Sequence, residues 1–62
     1  MTEFTNQEKA QCAEREYNMR KHVYPRWVQQ GKMTQKKADY ELAVMEAIAQ
    51  DYVYLAGNTR LL

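Results

Sequence analysis

Sixty-two residues with a net charge of +1 and an apolar share of 45% make one small domain, residues 1–62, whose own core covers only part of its surface. The single cysteine, Cys12, excludes an internal disulfide, and Cys12 with the single His22 falls short of a zinc donor set. No apolar run approaches the ~20 residues of a membrane span and no signal-type segment follows Met1, so a reducing cytoplasm is the expected setting.

With two Gly and one Pro among many Ala, Gln, Glu, Lys, Arg and Met, the chain favours helix, and no alternating run points to a strand. The first start signal is Thr5 followed by Glu8, a capping-box spacing. Ala10, Ala13, Tyr17, Arg20, Tyr24 and Trp27 then recur at steps of three and four, a seam interrupted by Arg20. This predicts a helix over about 6–30, kinked or broken at Tyr24-Pro25, because Pro25 cannot donate to the Lys21 carbonyl and disfavours helical geometry at Tyr24. Gly31 supplies a left-handed stop. Thr34 caps a second helix, although Lys36 and Lys37 oppose its dipole. Its seam is Ala38, Leu42, Met45, Ala49, Tyr52 and Ala56, giving about 35–56, with Gly57-Asn58 as the stop and 57–62 as a tail.

Folding back around Gly31–Thr34 places position i near position 65 minus i. Trp27 then meets Ala38, Ala13 meets Tyr52, and Tyr17 lies over Ile48 and Ala49, large against small as dense packing requires. The expected fold is therefore all-α, an antiparallel two-helix hairpin. A second apolar row, Cys12, Met19 and Val23 on one helix and Val44, Ile48 and Leu55 on the other, has no third layer to cover it. Such surface marks an interface, and a chain this short is stabilised by partners, so a helical homo-oligomer is expected.

Charge is unevenly spread. Residues 15–37 hold Arg15, Arg20, Lys21, Arg26, Lys32, Lys36 and Lys37 against Glu16, while the segments on either side are net acidic. Tyr24, Trp27 and Tyr40 lie among these cations. Cations interleaved with rings suit a phosphate joined to a base, which makes Arg20, Lys21, Tyr24, Arg26, Trp27, Lys32, Lys36 and Lys37 the candidate ligand residues. The same groups also admit a structural reading, with the Arg20 stem over Met45 and its head on Glu41, Tyr24 and Trp27 as core, and the lysines solvated. No nucleophile with its base, phosphate loop or metal set is visible, so neither enzyme activity nor a cofactor is expected.

The stretches Tyr24-Pro25-Arg26-Trp27-Val28, Gly31-Lys32-Met33-Thr34, Ala38-Asp39-Tyr40-Glu41 and Met45-Glu46-Ala47-Ile48 resemble a group of short phage and prophage helical proteins, mostly uncharacterised. The resemblance covers about half the chain and transfers no catalytic residue. It implies an accessory protein acting in a bacterial host. Three functions follow: an oligomer that holds a nucleotide-like ligand, such as a host immune signal; an inhibitor or adaptor that lays its apolar face on a host protein; or a nucleic-acid binder, which the near-neutral total charge disfavours.

Overall fold

The computed structural model describes residues 3–60, with side chains as far as Gly57. It holds two helices, α1 (Asn6–Gln29) and α2 (Gln35–Arg60), and no strand among the described residues. They pack against each other along their length in a slab 47 × 23 × 16 Å. No helix among the described residues is long and apolar enough to cross a membrane.

Each end of α1 is closed by its own sequence. The Thr5 hydroxyl accepts from the Glu8 amide at 3.0 Å while the Glu8 carboxylate accepts from the Thr5 amide at 3.0 Å, so two donors of the first turn are satisfied reciprocally. These bonds hold the Glu8 carboxyl below its ordinary value, the Thr5 amide contributing most. At the other end Gly31 takes φ +75°. The Gly31 amide donates to the Val28 carbonyl at 3.1 Å and the Lys32 amide to Trp27 at 2.9 Å, the paired closure of a Schellman motif.

Pro25 does not break the helix, which runs unbroken through it to Gln29. Both Pro25 and Lys21 face solvent, where water can serve the carbonyl that Pro25 leaves without a backbone donor. Next to it Tyr24 is buried and its ring lies 5.6 Å from Trp27, packing that holds the turn together across the proline. The second departure is the stop of α2. Gly57 keeps a negative φ and the helix continues to Arg60. Ala56 is still buried against the hairpin, so packing extends to the residue before the glycine, and a helical glycine costs only about 1 kcal/mol relative to alanine. Of the tail expected at 57–62, Leu61 and Leu62 lie outside the described residues.

The buried residues are Ala10, Ala13 and Tyr24 on α1 and Ala38, Ala49 and Ala56 on α2. A seam of alanines brings the two backbones close, and no large side chain among the described residues is fully enclosed. Tyr17, Arg20, Leu42, Met45 and Tyr52 are half-buried along its edges, so both predicted seams face inward. Trp27 is the exception at 41% exposed. Its indole lies on the ring of Tyr24 rather than between the helices. The cross-helix contacts also fall on α2 residues nearer the bend than the spacing implied: Tyr17 reaches Glu46, Arg20 reaches Glu41, and Lys9 sits over Tyr52.

Candidate functional site

The eight candidate ligand residues divide into two groups. Arg20 and Tyr24 belong to the packed middle of the hairpin, and Lys21 lies beside them on its solvent side. The Arg20 guanidinium donates from Nε to Glu16 at 2.8 Å and stands 4.0 Å from Glu41. The bond to Glu16 raises the Arg20 pKa above its ordinary value, so this cation is held by carboxylates of its own chain. Its head also lies 6.0 Å from the centre of the Tyr24 ring, and Tyr24 is only 8% exposed. Lys21 lies over Tyr17 at 4.9 Å. The Tyr17 hydroxyl in turn donates to Glu46 at 3.2 Å, and partial desolvation, then the Glu46 charge, raise its pKa.

Arg26, Trp27, Lys32, Lys36 and Lys37 lie at the bend. Trp27 comes from the last turn of α1, Lys32 from the Schellman closure, and Lys36 and Lys37 from the first turn of α2. Trp27, Gly31, Lys32, Met33, Thr34 and Lys37 line an open depression of about 600 Å³. Lys37 pairs with Glu41 at 3.4 Å and sits 5.8 Å from the Tyr40 ring. Among the described residues, Arg26, Lys32 and Lys36 have no ion-pair partner.

The start of α2 adds to this positive surface. Thr34 caps it, its hydroxyl accepting from the Lys37 amide at 3.1 Å, but the first turn contains no acidic residue. Unpaired amides at a helix start favour an anion, and the chain places lysines there instead. The depression thus has an indole wall, a cationic rim and the positive end of a helix, the elements that a ring joined to a phosphate requires.

The residues of the second apolar row are largely uncovered. Met19 is 54%, Val44 40%, Ile48 39% and Leu55 42% exposed, while Val23 is half-buried. Tyr40, Val53 and Tyr54 are exposed as well; Tyr40 extends the second row one turn before Val44, whereas Val53 and Tyr54 occupy helix positions outside both apolar rows, so periodicity carried no signal for those two. Cys12 is exposed as a free thiol. No group of three or more His, Cys, Asp or Glu capable of holding a metal occurs among the described residues. No family model, curated protein or solved structure matches the chain.

Proposed function

We propose that this is a non-enzymatic binding protein, working as a helical homo-oligomer, that captures an anionic, ring-bearing ligand of the nucleotide class at the bend. The observation that carries this reading is the coincidence of a partly exposed Trp27, the cations Lys32 and Lys36, which have no ion-pair partner among the described residues, and an α2 start without acidic residues. Trp27 offers a stacking surface, the lysines neutralise phosphate, and the α2 amides orient it. A bend of α1 at Pro25 would lean Trp27 over the depression. Arg20 contributes less than its place in the charge run implies, because Glu16 and Glu41 already hold it. The likeness to short phage proteins makes a host nucleotide signal the natural cargo and the bacterial cytoplasm the setting.

Trp27 is the only tryptophan, so its fluorescence reports on the site directly. Titration with a panel of linear and cyclic ribonucleotides should quench it for at least one of them, and Lys32→Ala with Lys36→Ala should weaken that response. A flat signal across the panel at millimolar concentration, with the protein folded, overturns the reading. The response should also be selective for a small ligand. Tighter binding of long oligonucleotides with a steep salt dependence would instead mark a nucleic-acid binder.

A further inference from the structure

One broad side of the hairpin carries the second apolar row with charged residues at its ends. The contacts from Glu16 and Arg20 to Glu41 lie along this side, and residues at steps of three and four continue it along both helices. On α1 the row is Glu8, Cys12, Arg15, Met19, Val23 and Arg26. On α2 it is Lys37, Tyr40, Val44, Ile48, Asp51 and Leu55. The α2 row has a centre at Val44: Tyr40 and Ile48 stand one turn to either side, Lys37 and Asp51 two turns. On α1, Cys12 and Val23 lie either side of position 17, with the acid Glu8 and the base Arg26 beyond them along the outer edge and Arg15 as a further base between. The register that sets Lys9 over Tyr52 and Arg20 near Glu41 brings position 17 level with position 44, so both rows share one midpoint.

The α2 row, whose charge changes sign about its own centre, matches a second copy turned end for end. We infer that two copies of this chain pair through this side, antiparallel, about a twofold axis crossing α2 at Val44. Lys37 then faces the partner's Asp51, Arg26 faces the partner's Glu8, Tyr40 covers the partner's Ile48, and the two Val44 side chains meet. Arg26 and Asp51 have no ion-pair partner within their own chain among the described residues. A parallel pair would instead bring two basic bends together, which like-charge repulsion opposes. The broad side measures 47 by 23 Å, room enough for the ~800 Å² per partner of a standard interface. The inference gives a face and an orientation to the assembly proposed above and does not depend on its ligand.

Disulfide trapping tests the axis. With Cys12→Ser in place, Val44→Cys should form a covalent dimer under mild copper-catalysed air oxidation. The native Cys12 should not, because at ~1.5 Å per residue this axis holds the two Cys12 backbones about 15 Å apart, beyond the ~7 Å a disulfide spans. By sedimentation equilibrium the unmodified chain should be at least a dimer. Asp51→Lys should weaken it about tenfold, and adding Lys37→Glu should restore it. A monomer at high micromolar concentration, no cross-link at position 44, ready cross-linking through Cys12, or no rescue by the double variant overturns the pairing. Nucleotide quenching by a chain that stays monomeric would defeat this interface and keep the ligand reading. A trapped Val44→Cys dimer that binds no nucleotide would do the reverse.

Discussion

The two helices of this hairpin begin on the same residue type and are completed differently. At the start of α1, Thr5 and Glu8 exchange hydrogen bonds, so the chain supplies its own anion to the positive end of the helix. At the start of α2, Thr34 makes only its half of the arrangement, and the residue three places on is Lys37, with Lys36 beside it. One start is finished by local sequence. The other keeps amides and cations together and is finished best by an anion from outside the chain. The same contrast holds on a larger scale. From the middle of the hairpin towards the bend Glu16, Arg20, Glu41 and Lys37 form a chain of ion pairs, whereas Lys32 and Lys36 at the bend have no such partner among the described residues.

The change with the largest expected effect removes the joint that separates the two starts. Gly31→Ala forces a side chain into φ +75° and should cost about 1–2 kcal/mol, read as a lower midpoint in urea denaturation; an unchanged midpoint would mean that the Schellman closure is dispensable. Thr5→Ala should follow, at about 1 kcal/mol for a lost cap. It should lower the melting temperature without altering ligand quenching at the bend.

Lys36→Glu sharpens the contrast most, because its two effects run in opposite directions. Supplying α2 with an acidic first turn should stabilise the fold by about 0.3–1 kcal/mol while abolishing nucleotide quenching of Trp27. Loss of stability in this variant would show that the α2 start is not short of negative charge. The smallest effect is that of pH on the α1 start. Bonding to Thr5 lowers the Glu8 pKa from 4.5 in the folded chain, so its stabilisation is fully present above that value and is lost as pH falls through the lower, folded one. Glu8→Gln should therefore flatten the acid limb of a thermal-melt series between neutral pH and pH values below 4.5, and leave the neutral-to-alkaline range unchanged.

Much of this architecture was legible in the residues. Thr5 with Glu8, Gly31, and Thr34 mark element ends through bonds that span three to five positions, and such local chemistry needs no tertiary information. The alanine-rich seams were legible for the same reason: periodicity records which face of a helix turns inward. A break at Pro25, one of the two outcomes expected there, and a stop at Gly57 did not form because each residue signals only a local cost. Burial of Tyr24 and Ala56 and the solvent-facing position of Pro25 determine whether a helix bears that cost, and these depend on the other helix.

The candidate site was legible as a composition but not as a place. Sequence by itself determined that cations and aromatic rings gather around the turn, since that follows from their order along the chain. Only the tertiary structure decided which of them are spent. Arg20 and Tyr24 lie on the inner face, where α2 brings Glu41 within 4.0 Å of the guanidinium and covers the tyrosine, while Trp27 falls outside the seam and stays partly open. A charge run states how much charge is present. Whether that charge is already neutralised depends on what the fold sets opposite it, and Coulomb attraction acts across distances that the order of residues does not encode.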